Sequence, residues 1–79
     1  MKPYLLLIDK TKINIIWKVL QEYPIDNIYT ININDNCIEL HSELEQVILE
    51  KDIRYYFYKI GYYGTFIILD PTLNEYELI

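Results

Sequence analysis

The order of apolar and polar positions divides this chain into eight segments. Tyr4–Ile8 is an unbroken apolar run, the pattern of a strand covered on both faces. Asp9 and Thr11 follow, and either side-chain oxygen can cap a helix. From Lys12 to Tyr23 the spacing turns helical. Ile13, Ile16, Trp17 and Leu20 recur at i, i+3, i+4 and i+7, with polar residues between them. Pro24 ends that helix, because it disfavours helical geometry in the residue before it.

Ile28–Asn34 and Cys37–His41 both alternate, and Asp35-Asn36 lies between them. Asp and Asn tolerate positive φ, so the pair suits a two-residue type I′ turn. The resulting hairpin sets Ile33 opposite Ile38, Ile31 opposite Leu40, Asn32 opposite Glu39 and Thr30 opposite His41. Ile31, Ile33, Ile38 and Leu40 then form a buried face, and Cys37, Glu39 and His41 point the other way.

Ser42-Glu43-Leu44-Glu45 reads as a capping box opening a second helix, with Leu44, Val47 and Ile48 as its apolar stripe. Extending that helix past Lys51-Asp52 brings charge into the stripe. Ile53–Lys59, rich in aromatic residues, is therefore predicted to be a strand. Gly61-Tyr62-Tyr63-Gly64 is a turn with two flexible positions. Thr65–Leu69 is a second buried-strand run, Asp70-Pro71-Thr72 a turn, and Glu75–Ile79 a weakly alternating last strand.

The predicted fold is α+β, one mostly antiparallel sheet packed against two helices, in the order β-α-β-β-α-β-β-β. If Ile53–Lys59 is helical instead, the core becomes a ferredoxin-like βαββαβ unit with a C-terminal extension. At 79 residues, residues 1–79 make a single domain. More than half of the residues are hydrophobic, which excludes a disordered composition.

Charge and composition narrow the function classes. A net charge of −5 argues against direct nucleic-acid binding through a phosphate-contacting surface. One Cys permits no internal disulfide and no multi-Cys zinc site. Two glycines leave no phosphate-cradling loop. The longest apolar runs are too short for a signal sequence or a membrane span, so the expected location is cytoplasmic, with a reduced Cys37. Alanine is absent, Arg occurs only at Arg54, and Ile, Asn, Tyr and Lys supply nearly half the chain. Those preferences follow AT-rich codons and point to a low-GC bacterium, a phage or a mobile element.

Three groups of side chains carry candidate chemistry. Cys37, Glu39 and His41 share one strand face, which offers a thiol, a carboxylate and an imidazole to a metal or a Cys/His enzyme. Same-face neighbours lie about 6–7 Å apart, however, and rarely converge unaided. Asp9 and Asp70, each closing a strand, are the best-placed carboxylate pair. Asp9 resembles the acidic residue that ends the first strand of small ferredoxin-like nucleases, such as those of CRISPR adaptation. The resemblance is confined to that position.

The third group is the nine tyrosines. Tyrosine combines large contact area, few rotors and a water-tolerant hydroxyl, and is enriched at interfaces. Tyr55, Tyr56, Tyr58, Tyr62 and Tyr63 are read as a protein-binding patch, with Tyr56 and Tyr58 as anchors. Single-stranded bases also stack on aromatics, but only Arg54 and Lys59 lie nearby to hold phosphates. Glu43, Glu45, Glu50 and Asp52 form an acidic flank that steers toward a basic partner.

The expectation is a non-enzymatic, acidic protein-binding module needing no cofactor or metal. It would inhibit a basic nuclease or nucleic-acid-binding effector, as immunity proteins, antitoxins and phage anti-defence proteins do. A small metal-dependent or Cys/His enzyme is the alternative. Self-association into a homodimer or a larger structural assembly through the tyrosines is a third reading.

Overall fold

The computed structural model describes residues 1–72. Six elements follow one another: β1 (Lys2–Ile8), α1 (Ile13–Glu22), β2 (Ile28–Ile33), β3 (Cys37–Ser42), α2 (Gln46–Ile60) and β4 (Phe66–Leu69). The strands form one antiparallel sheet in the order β2-β3-β1-β4. This is the ferredoxin-like βαββαβ alternative. The Glu75–Ile79 strand expected from the sequence lies outside the described residues.

Both helices pack on the same face of the sheet. Tyr4, Leu6 and Ile8 of β1, Ile38 and Leu40 of β3, and Ile68 of β4 are buried beneath them. From above, α1 contributes Ile13, Ile16 and Leu20, and α2 contributes Leu49, Ile53 and Phe57. Tyr4 sits at the centre, and its hydroxyl donates to the Leu44 carbonyl at 2.8 Å. Burial, then the nearby Asp70 and Glu45 carboxylates, push that phenol above its ordinary value.

The first helix follows its sequence pattern, with Trp17 half-buried at the edge of the stripe. Its start does not. Lys12 occupies the N-cap and no side chain caps the helix. Asp9 instead accepts bonds from the Thr11 amide and hydroxyl at 2.9 and 3.0 Å. Its carbonyl takes the amides of Lys12 and Ile13.

The second helix corrects three expectations. Ile53–Lys59 is helical, not a strand. The buried stripe is Leu49, Ile53 and Phe57, not Leu44, Val47 and Ile48. Leu44 precedes the helix, and Val47 and Ile48 are exposed. That stripe places Lys51 and Asp52 in solvent, so the charges that seemed to end the helix do not interrupt it. The capping box does not form either. Ser42 is the last residue of β3, and its hydroxyl accepts from the Leu44 amide and donates to the Asn27 carbonyl. The helix ends as Gly61 enters the left-handed region at φ 84°. The Gly61 and Tyr62 amides reach back to the carbonyls of Tyr58 and Phe57, and the Tyr62 ring packs edge-on against Phe57 at 5.1 Å. This is a Schellman stop with its accompanying hydrophobic contact.

The hairpin keeps its expected register at the tip, with Ile33 opposite Ile38 and Asn32 opposite Glu39. A bulge between Thr30 and Asn32 then shifts the ladder, so Thr30, not Ile31, faces Leu40. Ile31 is left exposed. In exchange Ile28 enters the core, and Thr30 accepts a bond from Gln21 of α1. The added residue reverses which side chains face inward beyond it. The turn is not type I′, since Asp35 and Asn36 lack positive φ. The Asn36 carbonyl instead accepts the Ile8 amide at 3.0 Å.

Candidate functional site

Four consecutive aromatic residues, Tyr55-Tyr56-Phe57-Tyr58, lie on a helix, and helical geometry sorts them onto different sides. Phe57 points into the core and meets the rings of Tyr62 and Phe66 edge-on at 5.1 Å each. Tyr56 leans toward α1, where its hydroxyl donates to the Tyr23 carbonyl at 2.7 Å and lies 3.3 Å from that of Val19. Burial, then Tyr23, raises its phenol above the ordinary value. Tyr55 and Tyr58 point outward, each 65% exposed.

The outer side of α2 therefore carries Val47, Ile48, Tyr55 and Tyr58, all exposed. Tyr63, just past the helix, continues this surface, with its ring 5.8 Å from that of Tyr58. Three cations share it, with Lys51 in its middle, four residues from both Val47 and Tyr55. Lys59 lies over the Tyr55 ring at 5.2 Å and Arg54 over Phe66 at 5.0 Å. Arg54 also pairs with Glu50 at 2.7 Å, and Lys51 is exposed.

The nine residues singled out in the sequence fall into three settings. Tyr55, Tyr58 and Tyr63 are outward. Tyr56 and Tyr62 serve packing, the latter donating to the Thr65 carbonyl at 3.1 Å. Glu43 and Glu45 stand in the connector before α2, whereas Glu50 and Asp52 ride on the helix, and all four are exposed. The acidic flank is thus a connector plus the first half of a helix. The Leu44/Val47/Ile48 stripe places Val47 and Ile48 in the core, whereas both lie on this surface. The available signal was the Leu49/Ile53/Phe57 spacing, which excludes them from the interior.

Beside this surface the loop 61–64 borders a groove of about 550 Å³ against α1. Ile15, Ile16, Val19, Ile60, Tyr62 and Tyr63 line it, with Asp9 and Lys12 at its end. Burial, then the facing Asp9 carboxylate, pushes the Tyr62 phenol up.

Cys37, Glu39 and His41 lie on the helix-free face of the sheet, half-buried, as the alternation predicts. Glu39 Oε2 and His41 Nε2 are 3.0 Å apart. Cys37 has no hydrogen-bond contact with them. Burial, then the Glu39 charge, pushes its thiol up, away from the thiolate that a nucleophile or metal ligand requires. Asp9 and Asp70 do not meet. In the antiparallel register Leu5 faces Leu69 and Ile8 faces Phe66, which puts the two carboxylates at opposite ends of the sheet, roughly 17 Å apart. Each accepts bonds from the Thr two residues on. Among the described residues no three His, Cys, Asp or Glu side chains come together in a way that could hold a metal ion, and no helix is long and apolar enough to cross a membrane.

Comparison with protein-family models, curated proteins and solved structures returns no match.

Proposed function

We propose that this protein is a non-enzymatic binding module that grips a basic protein partner with the outer side of α2. The carrying observation is the exposure of Val47, Ile48, Tyr55, Tyr58 and Tyr63 along one side of the molecule. An isolated exposed apolar residue is ordinary, but five along one side of a helix and the loop after it, with Lys51 between the aliphatic and aromatic pairs, are not. Rigid aromatic rings beside aliphatic side chains are the composition of an interface centre.

Glu43, Glu45, Glu50 and Asp52 flank that centre and supply long-range attraction for a positively charged surface. The net charge of −5 reinforces it at low ionic strength. A nuclease or other nucleic-acid-binding effector is the class of partner with matching charge. Covering its basic surface would inhibit it by exclusion, without chemistry. The raised Cys37 thiol and the separation of Asp9 from Asp70 support this reading over a catalytic one.

The test is kinetic. The partner is captured from extract of the cells that carry the gene, then bound to purified variants across a salt series. Reversing Glu43, Glu45 and Glu50 to Lys is expected to slow association and flatten its salt dependence. Tyr58→Ala is expected to leave association nearly unchanged and to speed dissociation, at a cost of about 2 kcal/mol for an anchoring residue. Binding that ignores both sets of variants contradicts the assignment of the surface.

A further inference from the structure

The groove between α1 and the loop 61–64 holds about 550 Å³, within the roughly 300–1,000 Å³ of small-molecule sites. Ile15, Ile16 and Val19 of α1 make one wall, and Ile60 and Tyr62 the other. Ile15 and Ile60 are both exposed, so apolar surface stands open to water on each side. The second wall is held in place. The Tyr62 hydroxyl donates to the Thr65 carbonyl at 3.1 Å. The Tyr62 ring also packs so closely on Gly64 that a Cβ there would lie 2.5 Å from the hydroxyl oxygen. A preformed wall spares a ligand the cost of ordering it.

One end of the groove carries both signs of charge, from Asp9 and Lys12. Asp9 takes both Thr11 bonds on Oδ1, and among the described residues its Oδ2 accepts none. The Lys12 charge is near enough to help hold the Asp9 carboxyl below its ordinary value. Yet the ion pairs among the described residues are His41–Glu39 and Arg54–Glu50. Asp9 and Lys12 therefore feel each other's field without pairing.

We infer that the groove binds a free α-amino acid with a large apolar side chain, its ammonium on Asp9, its carboxylate on Lys12 and its side chain between Ile15, Val19 and Ile60. Charge selects that ligand. A simple organic acid brings its carboxylate beside Asp9, on a chain of net charge −5. A simple amine brings its cation beside Lys12. A molecule with both charges on one carbon answers both groups and is neutral as a whole. The apolar walls select the side chain, because a polar one would lose water there without gaining a partner. The site stands on the groove alone and does not depend on the α2 surface.

With walls this open and a ligand this small, the expected Kd is about 0.1–5 mM. Amide chemical shifts of the isotope-labelled chain read the binding during titration with L-leucine and L-phenylalanine to about 20 mM, above that range. Saturable shifts are expected in residues 9–12, 15–19 and 60–65. 4-Methylpentanoate lacks the ammonium and 3-methylbutylamine lacks the carboxylate. Each is expected to bind at least about fivefold more weakly than leucine, the upper range for one solvent-exposed charge pair. Asp9→Asn, which keeps an acceptor for Thr11, and Lys12→Met are each expected to weaken leucine by a similar factor with an otherwise unaltered spectrum. Glycine, with no side chain for the walls, is expected not to saturate. Absence of saturable shifts, or shifts centred elsewhere, overturns the inference. So does leucine binding that is matched by either analogue or by glycine, or that survives both substitutions.

Discussion

The two helices lie side by side on one sheet, yet they present different outer surfaces. Along α1, Ile13, Ile16 and Leu20 point inward, and Lys12, Asn14, Lys18, Gln21 and Glu22 face water, with Ile15 as the exposed aliphatic exception. Along α2, Leu49, Ile53 and Phe57 point inward, but Val47, Ile48, Tyr55 and Tyr58 lie outside. The first helix has one apolar side and the sheet accounts for it. The second has two, and the sheet accounts for one. An apolar side that the fold does not use is where a partner is sought.

The sharpest way to break this contrast is to compare adjacent residues on opposite sides of α2. Phe57→Ala is expected to cost about 3–5 kcal/mol, enough to unfold most of so small a domain. Tyr58→Ala is expected to change stability by no more than about 0.5 kcal/mol. Urea denaturation followed by circular dichroism measures both. Similar losses would mean that the outer side is part of the core.

Those neighbours also show why the sequence was legible for one helix and not the other. Helical periodicity identifies a stripe only when the opposite side is polar, as it is in α1. In α2, Val47 and Ile48 fit a stripe with Leu44 as well as Leu49 fits one with Ile53 and Phe57. With the Leu44 stripe, Lys51 and Asp52 mark a helix end and the aromatic run reads as a strand. Burial against the sheet outweighs the strand preference of Tyr and Ile. The hairpin failed differently. Its tip was readable from alternation, but the bulge at Ile31 answers to the need to bury Ile28, which no local pattern states. Within the site, the tyrosine-rich segment was visible from composition. Its division into outward Tyr55 and Tyr58 and packed Tyr56 requires the helix.

Smaller effects sharpen how α2 is held. Gly61→Ala forces a side chain into the left-handed region and is expected to cost about 1–2 kcal/mol through backbone strain alone, since a Cβ there meets no atom within 4 Å. Tyr56→Phe removes the hydroxyl that ties α2 to the end of α1 and is expected to cost about 1 kcal/mol. Thermal unfolding of each variant measures these. If Tyr56→Phe lowers partner binding but not stability, Tyr56 belongs with the outer surface.

The smallest effect is in the turn that precedes α1. The Thr11 amide and hydroxyl bonds hold the Asp9 carboxyl below its ordinary value of 3.8. A depressed carboxyl stabilises the fold fully above its unfolded value and loses that contribution as the pH falls through the folded one. The stability difference between wild type and Thr11→Val is therefore expected to narrow from about pH 5 to pH 2, as linkage requires. A constant gap would assign the effect of Thr11 to packing.

The outer side of α2 is tested most directly by replacing Val47, Ile48, Tyr55 and Tyr58 together with Ser and measuring how much captured partner the folded variant retains. All four side chains are exposed, so the variant is expected to unfold within a few degrees of wild type, a shift of under about 1 kcal/mol. It is expected to lose at least thirtyfold in affinity, or about 2 kcal/mol. A variant with an unchanged thermal transition that binds the partner as tightly as wild type would contradict the proposed surface.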